Sequence, residues 1–598
     1  MKQKNKTPMT LIQTFKGLRP AAQQIIADYA RRRGIPSEGL NEFLHPALRL
    51  ELGHTPETGQ FIGRLTTAIK NKEKILIYGD YDADGITATA ILLRCLRETA
   101  GIAPAWSLPN RQHDHYGLDL EKAKSLFNQH KPSLVVCLDC GTNSHEAIAW
   151  LKQHGVDVLV ADHHPLEGSR PAAIAVVNPK INGADVDDCC AAGLALLLCD
   201  QLVKAWNAEA NWDRDTAVIL AGIGTVADAV SLSPINRSII KNAIRLMNDP
   251  RKVAGIPGLA ALLANTCAVN QRQLQFDLIP KLNAVGRLGD AQPAVTLLTT
   301  FDPATARAIA DHCNERNERR KQLQRQMVRQ AKALADVVVV DHPETPVLVL
   351  AEAGWHHGVA GPAASVIAET FQRSAILLAP HAEGLWKGSG RSNNGDHLGR
   401  WVRDVKNLGL AERGGGHAAA VGLVITSAQI APLQTAGLIL PMPQTDHESE
   451  TEIIGEIAQL KAEEWAAVSE LLAPFGRKNP APLVSATGAV CQDEPTSLTS
   501  RENQNIWAIK AKFKTSAGNI IALWRDCETA RKQWRAWARC DLELELSMQA
   551  KGKQTFFNWS VVSCRPSGGK RGNNPERLAA TGGFQPQPRR ANFQNGKA

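Results

Sequence analysis

Three aspartates at alternate positions, Asp80, Asp82 and Asp84, stand in the run Tyr78-Gly-Asp-Tyr-Asp-Ala-Asp-Gly85, directly after the apolar stretch Ile75 to Tyr78. In an extended chain, side chains at i, i+2 and i+4 share a face, so the spacing predicts three carboxylates projecting together beyond the end of a strand. Carboxylates placed so repel one another unless a cation joins them, and an all-oxygen donor set suits hard divalent ions such as Mg²⁺ or Mn²⁺. An acidic turn and a calcium loop use the same residue types, and this segment alone does not separate the three. Later segments add to it. Ser133 to Leu138 leads into Asp139 within Cys137-Leu-Asp-Cys-Gly-Thr142, Asp157 to Val160 leads into Asp162-His163-His164-Pro165, and Thr216 to Val226 leads into Ala227-Asp228-Ala229. One aspartate after a strand is an ordinary helix cap. Four strand-like segments each ending in an acid, one with an added His pair, form a metal-site pattern. Five or six carboxylates with one imidazole suit two ions about 3.5–4 Å apart that share a bridging carboxylate and activate a water for in-line attack on phosphorus.

The elements that must position these residues alternate. Lys74–Tyr78, Ser133–Leu138 and Asp157–Val160 read as strands, and Ile86–Glu98 and Ser144–His154 as helices, which predicts an α/β fold with a mostly parallel sheet. Ligands of such sheets sit beyond the carboxyl ends of the strands, where the acids fall. Before them, helical patterns fill residues 15 to 72, with Ala21–Arg33 stopped by Gly34-Ile-Pro36. After them, Ala304–Val337 is a single helical pattern of ~34 residues, long enough to span about 50 Å. It reads as a connector to a second lobe, in which Val347–Leu350 and Ala375–Leu378 are strands flanking a helix at Gly361–Phe371. Five short strands follow the polar junction at 444–452, at Leu483–Val490, Asn505–Phe513, Asn519–Leu523, Cys540–Ser547 and Thr555–Val562, and suit a small barrel such as an OB-fold. They carry Trp507, Phe513, Trp524, Trp534, Trp537, Phe556, Phe557 and Trp559 among Lys510, Lys512, Lys514, Arg525 and Arg535. Aromatics among basic residues suit the stacking of unpaired bases over a charged groove.

The 598 residues are enough for several domains, and the 44% apolar content allows sizeable cores. A net charge of +9 suits a polyanionic partner. The polar start Met1 to Thr7 leads into no apolar h-region, so no signal peptide is expected, and no run of 18 apolar residues exists to span a membrane. The 12 cysteines are irregularly spaced, which reads as a reduced, cytoplasmic protein. Cys137 and Cys140 form a CxxC, but Cys137 falls inside an apolar strand and no second CxxC accompanies it. From Arg565 to the end the chain is rich in Gly, Pro, Asn, Gln and Arg and is expected to be disordered.

The ordered set GDYDADG, LDCGT, ADHHP and VADAV resembles the four motifs of the DHH phosphoesterase superfamily, and within it the bacterial single-strand-specific 5′ exonucleases. The resemblance runs from about residue 20 to 560 and takes in Phe276 to Asp290, Trp355-His-His-Gly358, Gly388-Ser-Gly-Arg-Ser392, Gly414-Gly-Gly-His417 and Pro474 to Pro482. It departs at His115-Tyr-Gly117 and at Cys190-Ala-Ala-Gly-Leu194, beside the acids rather than among them. The resemblance implies a helical segment at 1–72, a DHH catalytic domain at 73–300, a connector helix at 301–340, a DHHA1 substrate-binding domain at 341–443, an OB-like domain at 444–564 and a tail at 565–598. It implies two divalent ions, Mn²⁺ or Mg²⁺, on Asp80, Asp82, Asp84, Asp139, His163 and Asp228, with Asp139 as the bridge. Asp162 would hold an imidazole, and His164 would assist proton transfer or touch phosphate. Ser389 and Arg391 with Arg111 would bind the 5′-terminal phosphate, Arg287 would contact the DNA, and His417 would serve substrate rather than metal. The second His pair, His356-His357, would line the cleft.

The implied activity is metal-dependent hydrolysis of single-stranded DNA from the 5′ end to mononucleotides, in recombination and repair. The protein would be a monomer, supplied with strands by a helicase and a single-strand-binding protein. Two other readings share parts of the sequence: a phosphodiesterase of short oligonucleotides or cyclic dinucleotides, which needs no aromatic barrel, and an inactive nucleic-acid scaffold, which needs no acids.

Overall fold

The computed structural model describes residues 17–567, except 51, 53–54, 112–116, 183–187, 267, 383, 394–395, 444–451, 500–505, 525–538 and 552–553. The glycine- and arginine-rich tail from 568 on, Trp534, Trp537, Arg525, Arg535 and the His115-Tyr116 pair therefore lie outside the described residues, and so do the side chains of Trp507, Phe556 and Phe557. The chain forms two units. One holds residues up to Gly455 with Leu460–Leu483 and Leu546–Asn558, and the other holds Glu456–Gln459, Val484–Glu545 and the stretch from Trp559. No helix among the described residues is long and apolar enough to cross a membrane.

In the first unit, helix α1 (Pro20–Arg32) buries Ala22, Ile25, Ile26, Tyr29 and Ala30, a spacing of three and four residues that puts them on one face. Strand β1 (Ile75–Tyr78) is buried at all four positions. It is the second strand of a parallel sheet in the order β2-β1-β3-β4-β5, with β2 (Ala105–Ser107), β3 (Leu134–Leu138), β4 (Asp157–Ala161) and β5 (Ala175–Val177). Near-continuous apolar strands are what a parallel sheet covered on both faces requires. Helices α2 (Ala83–Ala100), α3 (His145–Gln153) and α4 (Ala191–Ala205) supply that cover.

Two expectations are corrected here. The sequence reads Thr216–Val226 as strand-like, but the segment lies inside helix α5 (Arg214–Ala227), and Asp228 is its C-cap. Every residue from Thr216 to Val226 is buried, and a run buried all round carries no period that distinguishes strand from helix. Likewise the three leading aspartates do not share an extended face. The chain turns at Asp82, which caps α2, and Asp84 falls in the first helical turn.

Helix α6 (Ile279–Leu288) leads by a short helix to α7 (Pro303–Asp341), 39 residues capped by Asp302. The second lobe carries the sheet β6-β7-β8-β10-β9, formed by β6 (Val347–Ala351), β7 (Ser374–Ala382), β8 (Leu385–Arg391), β9 (Arg413–Gly416) and β10 (Ala420–Thr426), with α8 (Ala360–Phe371) packed on it. Only β6 and β7 run parallel. Helix α9 (Ala462–Leu472) belongs to the first unit, where it packs beside α1, and Tyr29 donates its hydroxyl hydrogen to Asn479 Oδ1 at 2.7 Å.

The C-terminal strands are β11 (Leu483–Cys491), β12 (Ile506–Thr515), β13 (Gly518–Trp524), β14 (Cys540–Lys551) and β15 (Gln554–Pro566). Their order β11-β14-β15-β13-β12, closed by a β12 to β11 pairing, makes a five-stranded barrel, and β13 and β15 run parallel as an OB-type Greek key demands. Along β12, Ala511 and Phe513 face the core while Lys510, Lys512 and Lys514 are exposed. Phe513 and Trp559 are therefore barrel core and not stacking surface. The exposed lysine row keeps the basic half of the expected platform.

Candidate active site

Each acid owes its position to a local feature. Asp80 follows β1. Asp82 Oδ1 accepts from the Asp84 and Gly85 amides at 2.9 and 3.2 Å, satisfying the orphan donors at the start of α2. The remaining amide there, Ala83 N, donates to Asn283 Oδ1 on α6 at 2.8 Å. Asp84 docks on the N-terminus of α4, accepting from the Ala191 and Ala192 amides at 2.8 and 2.9 Å. Asp139, at the end of β3, has the left-handed conformation (φ 62°), held by its amide donating to Ala161 O at 3.0 Å. A non-glycine residue in that region is a recurrent mark of functional sites.

His163 faces acids from both ring nitrogens, with Nε2 3.3 Å from Asp139 and 3.9 Å from Asp84, and Nδ1 3.6 Å from Asp228. His164 pairs instead with Asp162 at 2.7 Å. Asp162 also accepts from the amides of Thr142, His163 and His164. The imidazole that Asp162 orients is therefore that of His164. Asn178 ties these loops together by donating to Thr142 Oγ1 and His164 O.

Three sets of side chains converge closely enough to hold a cation: Asp80, Asp82 and Asp139; Asp84, His163 and Asp228; and Asp139, His163 and His164, with the ligand atoms of each set within 4.8 Å of one another. They share Asp139 and His163, so they form one connected donor set. Asp80 Oδ1 and Asp139 Oδ1 are buried with no hydrogen-bond partner. Burial and the Asp82 charge push Asp80 up to about 8. Burial and the Asp84 charge do the same to Asp228, again to about 8, and burial with Asp82 lifts Asp84 to about 6. Asp139 is raised well above the carboxylate range by burial and by the charges of Asp84, Asp82 and Asp80. Burial holds His163 down at about 3, so it is neutral and able to donate a lone pair. Burial also lowers His164, but its bond to Asp162 and that carboxylate's charge prevail and the net shift is upward. Unpaired buried oxygens, mutually repelling carboxylates and a neutral imidazole are the donor chemistry a divalent cation needs, and Mg²⁺ or Mn²⁺ fits it.

Cationic side chains gather close enough to the acids for Arg111 to act on Asp80 and for Asp82 to act on Arg287. Arg111 sits over the Tyr81 ring at 5.1 Å, and Arg287 on α6 donates to Gly358 O at 3.3 Å. On β8, a Cβ at Gly388 or Gly390 would collide with Leu378, Leu423, Val421 and Leu398, so those positions face the core and Lys387, Ser389 and Arg391 face the other way. A Cβ at Gly361 near the start of α8 would lie 3.0 Å from Arg391 Nη2, and Lys387 Nζ donates to Arg111 O at 3.3 Å. His417 follows β9, and burial with the His164, Lys180, Arg477 and Arg391 charges lowers it. The expected residues Arg111, Arg287, Ser389 and Arg391 thus come together, and Lys387 joins them. Its signal in the sequence was the alternation Lys387, Ser389, Arg391, legible only once Gly388 to Arg391 is taken as strand.

Sequence reasoning also missed the supports Asn283, Asn178 and Gly224. A Cβ at Gly224 on α5 would lie 2.5 Å from Ala192 Cβ, 2.6 Å from Thr87 Oγ1 and 2.7 Å from Asp84 Oδ1. Gly224→Ala is expected to displace Asp84 and to destabilise the first unit by about 1–3 kcal/mol, the usual cost of overpacking. Calorimetry with a Mn²⁺ titration checks this, and an unchanged melt with unchanged binding would refute it.

Residues 74–223 match the family model "DHH family, N-terminal domain", and residues 344–436 match "DHHA1 domain". The chain is 31% identical over 440 residues to the single-stranded-DNA-specific exonuclease RecJ of Escherichia coli K12, covering 70% of this chain and 76% of that one. It is 30% identical over 439 residues to the protein of the same description from Bacillus subtilis 168, covering 72% of this chain but only 54% of the relative's length. Among solved structures, RecJ of Thermus thermophilus in complex with Mn²⁺ superposes with a TM-score of 0.72 at 25% identity, over 94% of this chain and 78% of that one. With both domain models in order and this identity across three quarters of a relative, the chain belongs to the RecJ family.

Proposed function

We propose that this chain is a metal-dependent exonuclease that hydrolyses single-stranded DNA from its 5′ end to mononucleotides, in recombination and repair. The observation that carries the reading is a buried, connected donor set with unpaired oxygens at Asp80 and Asp139, accompanied by gathered cationic side chains, with Arg391 and Ser389 on one strand face. The relatives named as single-stranded-DNA-specific exonucleases, and the T. thermophilus structures described as Mn²⁺ and Mg²⁺ complexes, support it. The domain limits given above are proposed with it, as are a cytoplasmic setting and supply of strands by a helicase and a single-strand-binding protein.

In this mechanism Asp80, Asp82, Asp84, Asp139, His163 and Asp228 would hold two divalent ions, Asp139 being common to two of the donor sets. Ions bound there would supply an activated water and neutralise charge on the phosphate oxygens. The protein does the rest. Arg391, Ser389 and Arg111 anchor a terminal phosphate through a guanidinium fork and a hydroxyl, so that a free 5′ end is what fits. Arg287, pinned to the turn before α8, and His417 steady the strand. His164, whose hold on a proton is raised by Asp162, would face the scissile phosphate as a donor and handle the proton of the leaving oxygen. His164→Gln is expected to reduce kcat by about 10²-fold with little change in strand affinity, as loss of a positioned acid does. Single-turnover kinetics beside anisotropy would show it, and a change confined to affinity would refute the role.

The deciding experiment uses single-stranded DNA labelled at its 3′ end, with and without a 5′ phosphate, in Mn²⁺, Mg²⁺ or chelator. A ladder shortening from the 5′ end, dependent on metal and favoured by the phosphate, is expected. Binding without cleavage would favour a scaffold, and cleavage of di- and trinucleotides alone would favour a small-substrate phosphodiesterase.

A further inference from the structure

The terminal-phosphate anchor proposed above accounts for Ser389, Arg391 and Arg111 but leaves Lys387 over. Lys387 lies on the same face of β8, two residues beyond Ser389 and about 6.6 Å further along the strand. Its neighbours differ from those of Arg391: the Arg391 charge acts on His417, whereas those of Lys387 and Arg111 act on His357. An ammonium carries three donors, and the hydrogen bond Lys387 makes among the described residues is to Arg111 O. His357 is only 8% exposed, and its Nδ1 is buried with no hydrogen-bond partner. Its ring stacks on His356 at 5.2 Å and meets His381 edge-on at 5.1 Å, which fixes its orientation. Neither Lys387, Arg111 nor Arg391 forms an ion pair with a carboxylate among the described residues, and burial, with the Arg111 charge second, brings Lys387 down to about 8. Partly buried cations gathered without a counter-charge repel one another until an anion joins them. A phosphate held between Ser389 and Arg391 lies on the side of Ser389 away from Lys387, which stands four residues and about 13 Å from Arg391 along the strand. A second phosphate, linked to the first through an anhydride, extends toward Lys387.

We propose that Lys387 and His357 form a seat for a second phosphate, the β-phosphate of a di- or triphosphorylated 5′ end, beside the terminal-phosphate anchor of Ser389 and Arg391. The proposal rests on that anchor. Its substrates are strands whose first nucleotide retains a polyphosphate, and free nucleoside triphosphates present the same group.

The test measures binding of the full chain, in chelator so that nothing is cut, to oligothymidylates labelled at the 3′ end and bearing a 5′ hydroxyl, monophosphate or triphosphate. The triphosphate is expected to bind roughly tenfold tighter than the monophosphate, as one further charge-assisted contact commonly gives. That ratio should fall to about one in Lys387→Met and in His357→Gln, with thermal melts confirming that each variant is folded, and persist in part in Lys387→Arg. Competition by free dATP beyond that by dAMP would extend the seat to free nucleotides, and equal competition would confine it to strand ends. Equal affinity for the mono- and triphosphate strands, or a gain that survives both variants, overturns the seat. No preference for monophosphate over hydroxyl overturns the anchor beneath it.

Discussion

Asp139→Asn is expected to abolish strand cleavage while leaving strand binding largely intact. Losing one group at which transition-state charge is neutralised costs roughly 10²–10³ in rate. Asp139 belongs to two of the three donor sets, so its loss should fall at or beyond the upper end of that range. Misfolding is not the expected cause. The substitution removes a buried carboxyl whose ionisation burial and four neighbouring aspartates oppose, so the metal-free variant should melt no lower than the parent. The check is single-turnover cleavage in Mn²⁺ beside anisotropy in chelator. Retained cleavage at the parent's rate would remove Asp139 from the site, and a parallel loss of binding would make its role structural.

The second large effect is a reversal of pH dependence on metal binding. Asp80 and Asp228 are raised to about 8 and Asp84 to about 6, all above the unfolded value of about 3.9. A carboxylate raised on folding contributes its full stability below the unfolded pKa and loses it as pH rises through the folded one. The metal-free protein should therefore melt progressively lower between about pH 4 and pH 8, as the acids are forced to ionise against one another. A divalent cation acts in the opposite sense, since it binds the ionised set and competes with protons for it. At a free concentration about 100 times its Kd it contributes about 2.7 kcal/mol. Stabilisation by Mn²⁺ should thus be small near pH 5.5 and largest near pH 8.5. Calorimetry with and without chelator would test it, and a Mn²⁺ shift that does not grow with pH would contradict the assignment of these acids.

The acids themselves were legible in the sequence because a parallel sheet leaves its loops at one end, so residues just past β1, β3 and β4 must converge whatever the rest of the chain does. What stayed hidden depends on contacts distant in sequence. Asp84 reads like its two neighbours, but its docking on the α4 amides, 107 and 108 residues away, sets it apart. Asp228 was found for a partly wrong reason, since the segment before it is a helix buried on every side rather than a strand. Phe513 and Trp559 looked like a stacking surface because composition cannot say which side of a barrel a residue faces, whereas strict alternation along β12 puts Phe513 inside and its lysine neighbours outside. Lys387 was overlooked because Gly388 and Gly390 suggest a turn, and glycines in a strand are explained only by the side chains packed over them.

Helix α7 sets a limit on how the gene can change length. Its buried apolar residues fall in two groups, Ala306, Ala310 and Cys313 near one end and Met327, Ala331 and Ala335 near the other. Ala310 and Cys313 sit in the core of the first lobe, and Met327, Ala331 and Ala335 in that of the second. Removing one codon between them would rotate one group by about 100° and draw it in by about 1.5 Å. Removing seven would nearly restore the angle but shift the group by about 10 Å. No deletion or insertion there satisfies rotation and distance together, so this stretch should accept substitutions at its exposed positions and changes in length not at all, leaving the surface loops to absorb whatever the gene gains or loses.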